Sequence, residues 1–258
     1  MPINPNGAFI WYELLTTDAD AAADFYSNVV GWQVADSSMP GMDYRLLNAG
    51  DAQVGGLMQL DQAMLDGGAR PTWLGYVSVD DADAAVARSG AAGGTVQVPP
   101  HDIPNVGRFA MIADPQGIPI YVLHDKGDTP STAFAQSLYG HCAWHELETP
   151  DPKAAMDFYC GQFGWTPGDT MPMGDAGDYL MFDFGGAPIG GIMQAALVGS
   201  PPMWRFYFRV PNLETAVHQI EAGGGKVLHG PQDVPGDDQI VIGADPQGAL
   251  FALVAARG

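Results

Sequence analysis

The feature that most constrains this chain is an internal repeat. Glu13, in Phe9-Ile10-Trp11-Tyr12-Glu13-Leu14, aligns with Glu146, in Ala143-Trp144-His145-Glu146-Leu147. The same offset carries Phe25-Tyr26 onto Phe158-Tyr159 and Gly31-Trp32 onto Gly164-Trp165. After small changes in loop length, Gly55-Gly56 falls on Gly190-Gly191, Trp73 on Trp204 and Tyr76 on Tyr207. The turn Asp114-Pro115-Gln116-Gly117 likewise falls on Asp245-Pro246-Gln247-Gly248. Coincidence does not preserve so many anchors in order, so the 258 residues are two copies of one unit. The expected division is a first domain over 1–126, a linker over 127–139 rich in Gly, Pro, Ser and Thr, and a second domain over 140–258.

Each copy divides again. Residues 9–15 are β-prone, and Asp18 then caps a helix whose apolar positions Ala22, Phe25, Tyr26, Val29 and Val30 follow a helical stripe up to the stop at Gly31. Three short β-prone runs follow near 32–35, 42–49 and 53–60. A second unit reads as strand 72–79, a helix capped by Asp80 and ending at Gly90, and strands near 94–99, 107–113 and 118–124. In the second copy Asp151-Pro152 opens one helix, and Asn212 caps the other, with Leu213, Ala216, Val217 and Ile220 as its buried stripe. The predicted fold is α+β, with four βαβββ modules in two pairs. The spacing leaves open whether the pairs form within or across the halves.

Charge narrows the partners. Ten Lys and Arg against thirty Asp and Glu give a formal net charge of −20, and the basic residues lie singly along the chain. A field of that sign repels phosphates, so no nucleic-acid partner and no anionic membrane surface is expected. No run of about 18 apolar residues suggests a membrane span. Residues 1–7 lack a basic stretch followed by an apolar one, so the expected compartment is the cytoplasm. Cys142 and Cys160, without Cys-x-x-Cys spacing, do not suggest a disulfide framework.

Thr-x-Asp-x(6)-Phe-Tyr-x(4)-Gly-Trp occurs at 16–32 and again at 149–165, with Val-x-Val-Asp-Asp at 77–81 and the two Asp-Pro-Gln-Gly turns. This pattern resembles the two-domain form of the glyoxalase, bleomycin-resistance and extradiol-dioxygenase proteins, the vicinal oxygen chelate superfamily. The resemblance implies paired modules whose curved mixed sheets enclose cavities, many of which hold a divalent metal that chelates substrate oxygens. It also implies where metal ligands would sit: Trp11, Leu74 and Tyr121 in the first copy, and Trp144, Arg205 and Ala252 in the second. Indole only donates, Leu and Ala carry no donor atom, and Arg stays protonated, which leaves Tyr121 alone, as a phenolate. No metal and no other cofactor is therefore expected.

The positions that remain point to a small organic ligand. Strand alternation puts Glu13 on the face of Trp11, and Glu146 on the face of Trp144. An aromatic plate beside a carboxylate, flanked by Tyr76 and Tyr121 in one half and by Arg205 and Tyr207 in the other, suits a flat polar molecule. A desolvated Glu13 or Glu146 can act as a general base, and either can equally be a structural acceptor. Trp32, Trp165 and His145 are more often core than site residues, the remaining histidines sit in loops or on a helix or close a strand, and the paired glycines read as strand bulges.

Three readings follow: an enzyme of lyase or isomerase type using a glutamate base, a module sequestering a small hydrophobic molecule, or a metal-dependent glyoxalase or dioxygenase with displaced ligands. All take a small-molecule partner, and the chain is expected to be a monomer or homodimer.

Overall fold

The computed structural model describes residues 3–37, 42–195 and 201–257. Residues 1 and 2, part of the stretch read above for a leader, lie outside these. The first copy runs β1 (Phe9–Thr16), α1 (Ala19–Val29), β2 (Gln33–Asp36), β3 (Tyr44–Ala49) and β4 (Ala52–Gln59). The short helix α2 (Gln62–Asp66) leads into β5 (Thr72–Ser78), α3 (Ala82–Ala91), β6 (Thr95–Ile103), β7 (Gly107–Ala113) and β8 (Pro119–Asp125). The second copy repeats this order with β9 (Cys142–Thr149), α4 (Pro152–Phe163), β10 (Thr166–Pro172), β11 (Asp178–Phe184) and β12 (Ala187–Gln194). Its last module holds β13 (Met203–Arg209), α5 (Leu213–Ala222), β14 (Lys226–Val234), β15 (Asp238–Ala244) and β16 (Leu250–Ala256).

The strands form two eight-stranded sheets, ordered β2-β3-β4-β1-β5-β8-β7-β6 and β10-β11-β12-β9-β13-β16-β15-β14. Within each module the last strand runs parallel to the first, as in β1·β4 and β13·β16, while the hairpins are antiparallel. The fold is α+β, as the repeat predicts. Among the described residues, no helix is long and apolar enough to cross a membrane.

Residues segregate into two compact units, and each takes one module from each copy. One comprises Met1–Ile10, Gly75–Ser131 and His145–Trp204; the other comprises Trp11–Leu74, Thr132–Trp144 and Arg205–Gly258. The same buried hydrogen-bond chain links the modules inside each unit. In the second unit Trp73 Nε1 donates to the Tyr26 hydroxyl at 2.9 Å, which donates to Asp245 Oδ2 at 3.1 Å. In the first, Trp204 Nε1 donates to Tyr159 at 3.1 Å, and Tyr159 donates to Asp114 Oδ2 at 3.2 Å.

Each aspartate belongs to an Asp-Pro-Gln-Gly turn that it also closes. Asp114 Oδ1 accepts the N–H groups of Gln116 and Ile118, and Asp245 Oδ1 those of Gln247 and Ala249. Gly117 and Gly248 complete the turns at φ 86° and 95°, which only glycine adopts without strain. Burial pushes both carboxyls above their ordinary range, and the donors around them pull back only part of that rise. Burial likewise raises the Tyr26 and Tyr159 hydroxyls, so they stay protonated donors.

The indole N–H groups of Trp32 and Trp165 donate to Gly140 O and Gly7 O, at 2.6 and 2.8 Å, which confirms both as core residues. His145 is fully buried, its ring stacked 3.8 Å from Phe9 at 15°. Its Nδ1 donates to Ile189 O at 2.7 Å, because a carbonyl can only accept. Burial pulls its pKa down to about 3, so it is neutral in the fold.

Several local expectations change. The cap of α3 is Asp81, which accepts from Ala84 N, while the Asp80 N–H donates to Asn6 Oδ1. The helix runs past Gly90 to Ala91. His101 and His229, expected in loops or on a helix, are strand residues of β6 and β14. Val217 is only half-buried, whereas Leu213, Ala216 and Ile220 are buried.

Replacing Tyr26 or Tyr159 by Phe strands a buried carboxylate oxygen and an indole donor. Each change should cost about 1–3 kcal/mol in urea unfolding, and the two together should add nearly fully. His145 supplies a second test. A neutral native histidine and an ordinary unfolded one make stability fall as pH drops from 6.5 towards 3, the unfolded chain binding the extra proton. His145→Phe, which keeps a ring beside Phe9, should lose that component of the slope in urea titrations across the same window.

Candidate functional site

In the second unit β1 and β4 pair with Glu13 opposite Gly56. Residues paired across a ladder point to the same face, as do residues two apart on a strand. Glu13, Trp11 and any side chain at 56 would therefore share one face. Gly56 leaves its place to a ring: a Cβ built there would lie 1.9 Å from the Tyr44 hydroxyl. Trp11 Nε1 donates to that hydroxyl at 2.9 Å. Glu13 is 4% exposed, so its carboxylate belongs to this buried aromatic setting. Tyr12 points the other way, packing on Phe206 and Phe208.

The first unit repeats the glycine and tyrosine arrangement, with Gly191 opposite Glu146 and a built Cβ meeting the Tyr179 ring at 2.0 Å. It also carries an aromatic row. Tyr76 pairs with Tyr121 across β5 and β8, and the rings stack at 4.2 Å and 17°. Phe109 stands edge-on to Tyr121 at 5.8 Å, and His101 edge-on to Phe109 at 4.0 Å. The tyrosines are buried, Phe109 is half-buried and His101 is exposed, so the row runs from the interior to the surface. A separate groove of about 350 Å³ at the start of α4, between Asp151, Lys153, Leu180 and Gln194, includes none of these rings.

In the second copy the positions equivalent to Tyr76 and Tyr121 lie in an apolar cluster. Trp144 and Ile240 pack against a cluster of Ala143, Tyr207, Ile242, Ala252 and Val254. Ala252 stands beside Tyr207 where Tyr121 stands beside Tyr76. Arg205 is fully buried on the neighbouring position of β13.

These placements decide how a divalent metal would fare at the superfamily's ligand positions. Trp144 and Ala252 lie in an apolar cluster, the Trp11 N–H is given to Tyr44, and Leu74 is buried and apolar. Arg205 carries a permanent positive charge. Only the Tyr121 oxygen is a donor, so the residues present do not fit the group. Among the described residues, no three of His, Cys, Asp and Glu are grouped to hold a metal ion.

Of the sequence-derived candidates, the structure stacks Tyr76 on Tyr121 and packs Trp144 on Tyr207. Trp11, Glu13, Trp144, Arg205 and Tyr207 belong to one compact unit, and Tyr76, Tyr121 and Glu146 to the other. Tyr44 and Tyr179 were missed. Their signal was present, since Asp43-Tyr44 and Asp178-Tyr179 stand the same distance before the paired glycines. Those glycines make room for the Tyr44 and Tyr179 rings and, at Gly55 and Gly190, for the carbonyls of Tyr12 and His145, and a register irregularity lies beside each pair, as the bulge reading expects.

The family model of the Glyoxalase/Bleomycin resistance protein/Dioxygenase superfamily matches residues 8–122 and again 139–253. A candidate glyoxylase of Mycobacterium bovis, CFP32, is 31% identical over 246 residues, covering 95% of this chain and 93% of that protein. The anthracycline biosynthesis protein DnrV of Streptomyces peucetius is 31% identical over 263 residues, covering 97% and 94%. The fold is shared with the Mn(II)-bound glyoxalase from Novosphingobium aromaticivorans at a TM-score of 0.66 and 17% identity, covering 98% of this chain and 83% of that one. With a family match in each half and relatives along its length, the chain belongs to the glyoxalase, bleomycin-resistance and dioxygenase superfamily.

Proposed function

We propose that the chain acts on a small planar aromatic or carbonyl compound recognised by the aromatic row of its first copy, without the divalent-metal triad, and that a buried glutamate, Glu13 or Glu146, is the proton acceptor. The observation that carries this reading is the stacked Tyr76–Tyr121 pair, set against the Tyr207–Ala252 position of the second copy, which is packed with aliphatic side chains. Flat rings recognise flat ligands by offset or edge contacts, and in the second copy Ala252 stands where the first copy stacks a second ring on Tyr76. The relative DnrV, named for anthracycline biosynthesis, fits a planar aromatic substrate class.

Glu13 lies on the face of Trp11 and Tyr44, whose hydroxyl accepts from the indole donor. A carboxylate in this setting takes a proton from a carbon next to a carbonyl and returns it either at a second carbon, which isomerises the substrate, or to a departing β-substituent, which leaves with the electron pair of its broken bond and completes an elimination. Glu146, opposite Gly191, is the second candidate base.

Incubating the protein with planar aromatic ketones and quinones, and following thermal shift and product formation together, tests the reading. Glu13→Gln or Glu146→Gln, whichever removes the base, should lower turnover by about 100-fold or more while ligand affinity stays within about twofold. Unchanged turnover in both variants would remove the glutamate base. Thermal stabilisation of the wild type without any product would replace the enzyme by a sequestering module. Gly56→Ala, which drives a methyl into the Tyr44 hydroxyl, should cost about 1–3 kcal/mol of stability and abolish the near-ultraviolet dichroism of the Trp11–Tyr44 contact.

A further inference from the structure

The outer end of the aromatic row holds a group that the proposed function does not yet use. His101 is exposed and stands edge-on to Phe109, its pairing partner across β6 and β7. Its Nδ1 lies 3.0 Å from the carbonyl oxygen of Pro99. A carbonyl only accepts, so Nδ1 carries the hydrogen. The neutral ring then presents its second nitrogen, Nε2, as a bare acceptor at the open end of the row. The local backbone therefore chooses the tautomer, and the edge contact with Phe109 limits how the ring can turn.

From this we infer that His101 selects hydroxylated aromatic compounds, its Nε2 accepting a hydrogen bond from a phenolic hydroxyl on a ring seated against Phe109 and Tyr121. The inference rests on the reading that the first copy's aromatic row handles planar ligands, and it adds which edge group they carry. Phe109 and Tyr121 present aromatic faces and edges, which hold any flat ring alike and give no preference for a hydroxyl over an ether. Nε2 supplies that preference, because an ether oxygen has no hydrogen to give. A nitrogen acceptor facing an ether oxygen is left without a partner, and the two lone pairs repel. The second copy carries Gln232 at the corresponding position, where its side-chain oxygen is bonded to His229 and its pairing partner is Ile240, so no aromatic row stands behind it.

Equilibrium dialysis of the full chain at pH 8 against 2-naphthol and 2-methoxynaphthalene tests this, since the two differ only in the donor hydrogen and one methyl. The wild type should bind 2-naphthol about fivefold or more tightly than the ether. His101→Phe should keep binding both, with the ratio reduced to within about twofold. His101→Gln, which retains an acceptor on a flexible stem, should keep a preference of intermediate size. Equal binding of both compounds by the wild type, or an unchanged ratio in His101→Phe, overturns the role of His101 and leaves the aromatic row standing. Binding of neither compound overturns the row as a ligand site and the selection with it.

Discussion

The arrangement of this protein depends on a buried tyrosine hydroxyl used in both directions. Tyr26 accepts from Trp73 and donates to Asp245, and Tyr159 does the same between Trp204 and Asp114. In each case the tyrosine lies on the first helix of one copy and the aspartate in the turn of the other. An apolar contact would tolerate sliding between modules. A chain of directed bonds in a low-dielectric interior does not, because any slip leaves several polar groups unpaired at once. The rings packed around each chain, Phe25, Trp32 and Phe251 around Tyr26, and Phe163 and Trp165 around Tyr159, then settle into fixed edge and stacked contacts.

Near-identical scaffolds leave the two copies free to differ on their other sheet face. Tyr121 and Ala252 occupy the same place in the ladder, yet one extends a row of rings and the other sits in aliphatic packing. The strand pairing needs neither residue's side chain, so substitution there changes ligand chemistry without disturbing the fold. The same separation explains how the superfamily's metal positions hold Trp11, Leu74, Trp144 and Arg205 here while the sheets keep their register.

Much of this was legible in the sequence. Asp18, Asp151 and Asn212 each cap a helix through a bond to the third residue on, as their position before an apolar stripe indicated. Of the adjacent pair Asp80 and Asp81 either can cap, and only the tertiary bond from the Asp80 N–H to Asn6 decides it. The Pro99-Pro100 step looked like the end of a strand, but β6 continues through it with register irregularities at the sheet edge, where a missing N–H costs little. Ending the strand there left His101 in a loop, whereas Tyr44 and Tyr179 were legible from their equal spacing before the paired glycines and were missed. The spacing also left open how the modules pair, and they do so both ways: each copy's two modules share one eight-stranded sheet, and modules of different copies share a compact unit.

The way the two units draw on the chain also bears on the order in which it can fold. The Asp114 to Tyr159 bond closes a loop of 45 residues, whereas the Tyr26 to Asp245 bond closes one of 219. By chain statistics the longer closure costs about 1.4 kcal/mol more, and during synthesis it cannot happen until residue 245 has emerged. The Tyr159 link can therefore close early, while the Tyr26 link waits for the module that carries Asp245. The face of α1 around Tyr26 thus lacks its partner for longer in the growing chain, and the acidic, sparsely basic composition offers protection against association during that wait.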